Sequence, residues 1–134
     1  MPSIFSKIIA GEAPAYKIWE DEEFLAFLDI NPVNPGHTLL VPKIEIDYVF
    51  DMPEALYDKV WRQARWLAAR LKEAMQCNRI GIAVEGFSVP HVHIHLIPVN
   101  AHGELSPDRS RPAAAKELTK VHRRIVQEIA REPS

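Results

Sequence analysis

Three histidines, His91, His93 and His95, alternate with Val92, Ile94 and Leu96 in the stretch HVHIHLIP, which runs from His91 to Pro98. This stretch constrains the fold more tightly than any other. Alternation with period two marks a β-strand, because successive side chains leave a pleated backbone on opposite faces. The pattern predicts a strand over His91–Pro98, with the imidazoles on one face and the aliphatics on the other. Ile97 and Val99 extend the apolar run, and Pro90 and Pro98 bracket it. Neighbouring histidines would stand roughly 6.5–7 Å apart at Cα. Imidazole is not a strong strand former, and each ring needs its own hydrogen-bond partner if buried. Three on one face call for a chemical reason.

Two chemistries compete with a structural role. Histidines at i and i+2 can share a metal with a third ligand from elsewhere. Here Asp29 and His37 could converge from other strands, although three evenly spaced residues span roughly 13 Å and cannot all ligate one ion. The other chemistry is covalent. Neutral imidazole attacks phosphorus, and a row of imidazoles can divide the labour among nucleophile, orienting partner and proton donor. His37 would be a fourth member, and Ser88 offers a hydroxyl just before the row. His102 and His122 are read as structural.

The rest of the chain supplies a frame for one sheet. Ile4, Phe5, Ile8 and Ile9 predict a short helix capped by Ser3 and stopped at Gly11. Tyr16–Trp19 and Phe24–Asp29 predict a hairpin of strands. The loop Asn31–Gly36 delivers a third strand, His37–Pro42. Asp51 with Glu54 resembles a capping box for a helix of about six turns, with Leu56, Val60, Ala64, Leu67, Leu71 and Met75 on one stripe. Arg79–Val84 predicts the fourth strand, and Asn100–Arg111 a polar loop. A second amphipathic helix carries Leu118, Val121, Ile125 and Ile129 on one face. This predicts an α+β domain with helices over one face of an antiparallel sheet. We expect one domain over residues 1–134, with a core over 1–111 and a C-terminal helix over 112–134.

A net charge of −2 gives no bulk signal for nucleic acid or an anionic membrane. The single cysteine, Cys77, forbids an intramolecular disulfide. A start lacking the pattern of a signal peptide and the absence of a long apolar run make a cytoplasmic protein the expectation.

HVHIHLI has histidine alternating three times with hydrophobic residues, followed by a further hydrophobic. With IFSKIIAGEAPAYKIWEDEEFLAFLDINPVNPGHTLLVPK and EGFSVPHVHIHLIP, it resembles the histidine triad (HIT) superfamily, and within it the Hint-like bacterial branch. The resemblance covers most of the chain. It implies a five-stranded antiparallel sheet with a long amphipathic helix and a C-terminal helix, the sheet continuing across a homodimer. It implies a purine nucleotide as substrate, with attack on the α-phosphate and a transient nucleotidyl-histidine at His93. His95 and His37 would contact phosphate or leaving group, His91 would orient, and Ser88 would lie near the scissile phosphate. Asp29 would bind the ribose hydroxyls, an assignment that competes with capping of the turn at Asn31-Pro32. Phe5, Ile8, Phe27 and Ile30 would wall the base pocket, although Phe5, Ile8 and Phe27 also read as core residues.

Some relatives carry a structural zinc, at positions that read Ser3, Ser6 and Glu45 here. Serine hydroxyls are poor zinc ligands, so no metal and no cofactor are expected. The short VEGFSVPH lead-in and the distinct C-terminus differ from the phosphoramidase type. The first functional expectation is a hydrolase of a nucleoside phosphoramidate or related nucleotide, with the leaving group not carried over from the resemblance. The alternatives are a dinucleoside polyphosphate hydrolase and a nucleotide-sensing module with little turnover. Val92 stands where the uridylyltransferase type has proline.

Overall fold

The computed structural model describes residues 2–131. Five strands form one antiparallel sheet: β1 (Lys17–Glu20), β2 (Phe24–Leu28), β3 (Thr38–Pro42), β4 (Arg79–Ala83) and β5 (Ile94–Val99). Their order in space is β1-β2-β3-β5-β4. Three helices accompany them: α1 (Ile4–Ile9), α2 (Glu54–Met75) and α3 (Ala115–Arg131). Among the described residues, no helix is long and apolar enough to cross a membrane.

Pleat alternation divides the core in two. Phe24, Ala26, Leu28, Leu40, Val92, Ile94 and Leu96 point to one face and pack beneath α2 and α3. Leu56, Val60, Leu67 and Leu71 of α2 are 0–7% exposed there. Each such side chain contributes about 1.5–3 kcal/mol relative to exposure. Leu25, Phe27, Leu39 and Val41 point to the other face and pack against Phe5 and Ile8 of α1. The expectation of helices over one face thus needs correcting, because α1 covers part of the second face.

Three element boundaries differ from expectation. Asp51 does not cap α2. It ends a short 3-10 turn at Val49–Asp51, and the cap position is Pro53, with no side-chain cap bond. A residue before proline is pushed to extended geometry, and Met52 has ψ 140°, so the helix cannot begin upstream. The histidine strand begins at Ile94, so His91 and His93 precede it. The register Leu40↔Ile94 would set Pro42 opposite Val92. Proline has no N–H for that rung, and Val92 N–H instead donates to Ile46 O at 2.7 Å. Residues 112–114 are not helical, and 132–134 lie outside the described residues.

The loop Asn31–Gly36 enters β3 at a fixed angle. Gly36 has φ +91°, and a Cβ there would lie 2.7 Å from Met75 Cγ. Only glycine meets both conditions. This places His37 at the mouth of β3, on the same face as Leu39.

Candidate active site

His93, His95 and His37 share the α1 face of the sheet. Leu39 pairs with His95 across β3 and β5, and His37 lies two residues before Leu39. His91, His93 and His37 are 0–3% exposed. Burial in this setting disfavours charge. It is the main cause holding the pKa of His91 down, that of His37 down to about 3 and that of His95 down to about 4. The nearby His93 adds to the effect at His95, and His95 adds to it at His37. These three rings are therefore neutral at physiological pH, and each carries one ring proton.

Backbone partners decide where those protons sit. A carbonyl oxygen only accepts, and an amide N–H only donates. His91 Nε2–H donates to Pro42 O at 2.8 Å. Its bare Nδ1 then accepts from the Ser3 hydroxyl at 2.7 Å, and Ser3 Oγ accepts from Ser6 N–H. His93 Nδ1–H donates to His91 O at 2.7 Å. A neutral His93 ring in this bond keeps its lone pair on Nε2. On the other side, Val33 N–H donates to His37 Nδ1 at 3.0 Å. His37 must then carry its proton on Nε2, which donates to His95 Nδ1 at 2.9 Å. The remaining proton of His95 sits on Nε2. Two chains of bonds thus set opposite tautomers on adjacent rings, whose centroids are 5.0 Å apart. One offers a lone pair and the other a donor.

A cavity of about 470 Å³ opens on these rings, lined by His93, His95, His37, Asp29 and Ser88 among others. Asp29 plays two parts. Its Oδ1 accepts from Asn31 N–H at 2.8 Å and so caps the turn, while Oδ2 lies 3.6 Å from His37 Nε2. Burial raises its pKa, partly offset by the Asn31 bond. Ser88 is exposed at the rim. His91 does not reach the cavity lining and acts on His93 from behind. Phe5, Ile8 and Phe27 sit in the second core, with the Phe5 ring edge-on to His93 at 4.9 Å. Ile30, beside Asp29, is 56% exposed. None of these four apolar residues lines the cavity. His122 donates to Lys17 O at 2.7 Å, a packing bond far from the site.

Neither histidine group presents a fitting ligand set for metal. Asp29, His37 and His95 place ligand-type atoms within 4.8 Å of one another. However, the Val33 amide keeps the His37 proton on Nε2, the atom a metal would need. At the zinc positions of some relatives, Glu45 Oε1 accepts from Ser3 N–H and from Ser6 Oγ–H at 2.6 and 2.7 Å. With the Ser3–His91 bond, these donors and acceptors satisfy one another, and a neutral hydroxyl is a poor zinc ligand.

Sequence reasoning missed two contributors. The Val33 amide has no side-chain signature. Leu105, Pro107 and Ser110 line the cavity from what read as a featureless polar loop. Ser106-Pro107-Asp108 was the available signal, since Ser106 Oγ accepts from Asp108 N–H and caps a 3-10 turn.

The model of the HIT domain matches residues 10–102. Protein hit of Bacillus subtilis is 38% identical over 106 residues, spanning 75% of this chain and 73% of its own length. An adenosine 5'-monophosphoramidase of Saccharomyces cerevisiae is 37% identical over 100 residues, spanning 71% of this chain and 61% of its own length. The crystal structure of a zinc-bound histidine triad family protein from Mycobacterium smegmatis has a TM-score of 0.82 at 29% identity. That match covers 96% of this chain and 93% of the other.

Proposed function

The chain belongs to the histidine triad (HIT) family, and we propose that it hydrolyses a nucleoside phosphoramidate or related nucleotide through a covalent nucleotidyl-His93 intermediate. One observation carries this reading: the opposed tautomers on His93 and His95 inside a single cavity. The Nε2 lone pair of His93 attacks the α-phosphorus, and the P–N bond to the leaving amine breaks. The amine departs with that electron pair and takes up one proton from water. His95 Nε2–H donates to the departing nitrogen or to a phosphate oxygen as charge develops there. Water then adds to phosphorus, the P–His93 bond returns its pair to Nε2, and one proton is released. The site ends in its starting tautomers.

His37 and His91 are positioning residues in this scheme. His37 fixes the tautomer of His95, and His91 fixes the orientation of His93. Ser88 at the rim would meet the scissile phosphate. The nucleoside would lie toward Asp29, with Ile30 offering free apolar surface to a purine and Phe5, Ile8 and Phe27 backing it. A second copy would pair at β4, an edge strand on which Ile82 is 44% exposed.

The reading is tested with adenosine and guanosine 5'-phosphoramidates under rapid quench. Mass detection is expected to find one nucleoside monophosphate on a peptide containing His93. Turnover with an adduct on another residue would sink the mechanism.

Asp29→Ala is expected to weaken ribonucleotide binding by about 1.5–3 kcal/mol, the worth of a charge-assisted hydrogen bond. Deoxyribonucleotide binding should fall much less in calorimetric titration. Equal losses would leave Asp29 only its turn-capping bond to Asn31.

A further inference from the structure

We infer that the segment from Glu104 to Ser110 builds a leaving-group subsite on β4, selecting amines with an apolar body and no anionic group. This rests on the hydrolase reading above and goes beyond it. The segment follows residue 102, where the family model ends.

Strand order gives the cavity a direction. Asp29 follows β2, and β5 with His95 lies between it and β4. A nucleoside held at Asp29, with its phosphorus at His93, points its leaving group toward β4. There the register sets Ala83 opposite His95 and Gly81 opposite Ile97. Leu105 closes this row. A Cβ on Gly81 would lie 2.7 Å from Leu105 Cδ1, so the bare glycine gives Leu105 its seat on the strand. Ala83, Ile97, Leu105 and Pro107 line this side of the cavity.

The segment is fastened at several points. Glu104 Oε1 accepts from Ala101 N–H and from Asn34 Nδ2. Arg109 Nη2 donates to Asn34 Oδ1 at 2.8 Å, and Asn34 Nδ2 also donates to Pro98 O at 2.8 Å. Arg111 N–H donates to Pro32 O at 3.3 Å. Leu105 and Pro107 are therefore walls set by the fold.

Charge completes the argument. Among the described residues, the cavity lining contains no lysine or arginine, and its charged members are Asp29 and Glu85. A leaving polyphosphate or carboxylate would meet an acidic rim without a cation to pair with it. An apolar amine meets Leu105, Pro107 and Ile97, with the 91% exposed ring of Phe87 at the mouth.

The test compares adenosine 5'-phosphoramidates of phenethylamine and of 3-aminopropionate, two amines of similar basicity, with diadenosine triphosphate alongside. The phenethylamine derivative is expected to show a kcat/KM about thirtyfold above the carboxylated one, the factor from burying roughly 80 Å² of apolar surface. Diadenosine triphosphate should be slower than both. Leu105→Asp should collapse the ratio. Glu85→Lys, at an exposed rim position, should raise the carboxylated substrate and keeps the test decisive if the first variant fails to fold. Turnover without discrimination, or a ratio unmoved by both substitutions, would overturn the subsite and leave the hydrolase reading standing. No turnover of any substrate would overturn both.

Discussion

Alanine in place of His93 is expected to lower kcat by roughly four to six orders of magnitude, the scale seen when a nucleophile is removed from a covalent mechanism. Nucleotide binding should survive, because Asp29, Ser88 and the second core are untouched. The contrast with His95→Ala makes the prediction specific. That variant loses a donor to developing charge, which is worth roughly two to three orders. The ordering follows from the bonds behind each ring. His93 Nδ1–H donates to His91 O, which leaves Nε2 as a lone pair. His95 Nδ1 accepts from His37, which leaves Nε2 as a donor. Steady-state rates with calorimetry of nucleoside monophosphate binding measure both quantities. Turnover surviving in His93→Ala, with binding lost instead, would make His93 a ligand contact and move the chemistry elsewhere. The Phe5 ring at 4.9 Å will border the space left by the imidazole, so circular dichroism should accompany the kinetics.

Much of this site was legible in the sequence, because it rests on local periodicity. Val92, Ile94 and Leu96 do enter the core under α2, and the histidines do face the other way. The NPGH segment does bring His37 to the triad, since Gly36 has the positive φ and the close approach that glycine alone allows. What failed depended on partners far along the chain. The strand start is set by Pro42, about fifty residues upstream, through the ladder N–H it lacks. The tautomer of His95 is set by a backbone amide at Val33, acting through His37. That of His93 is set by the backbone carbonyl of His91, whose own ring is held by Pro42 O. None of these choices leaves a mark on residue type. Ser3 read as the cap of α1, which it is, and with Ser6 as a poor zinc ligand, while Glu45 carried no reading beyond standing at the third zinc position. In the fold they form, with Ser6, the hydrogen-bonded clasp on His91. The Glu104–Ser110 segment is the loop its composition indicated, but its place in the cavity lining was not legible because that place depends on Asn34 and Gly81, each distant in sequence.

Acid is expected to unfold this protein by charging its buried imidazoles. An unfolded histidine titrates near 6.5. Burial, aided by a neighbouring ring, holds His37 down to about 3 and His95 down to about 4. Between those values the unfolded chain binds protons that the native state refuses, so stability falls as pH falls. The loss begins below about pH 6.5. It continues until His95 titrates near 4 and His37 near 3 in the native state. Each group contributes a slope of about 1.4 kcal/mol per pH unit. At about pH 4.5 the pair should cost on the order of 3–5 kcal/mol, after discounting the more accessible His95 for solvent screening. Asp29 works in the opposite sense, because its raised pKa means that protonation in acid favours the native state. The paired Glu20, held low first by Lys43, adds loss only at more acidic pH. Thermal unfolding from about pH 7.5 to 4.5 should show the decline beginning near 6.5. His37→Gln keeps an amide donor for His95 and removes one titrating group, so its curve should fall less steeply, with His95 and the likewise depressed His91 still contributing. A flat melting temperature across that range would mean that the native state accepts the protons. The Val33–His37–His95 tautomer chain could not then hold as drawn, since a doubly protonated His37 has no lone pair left for the Val33 amide.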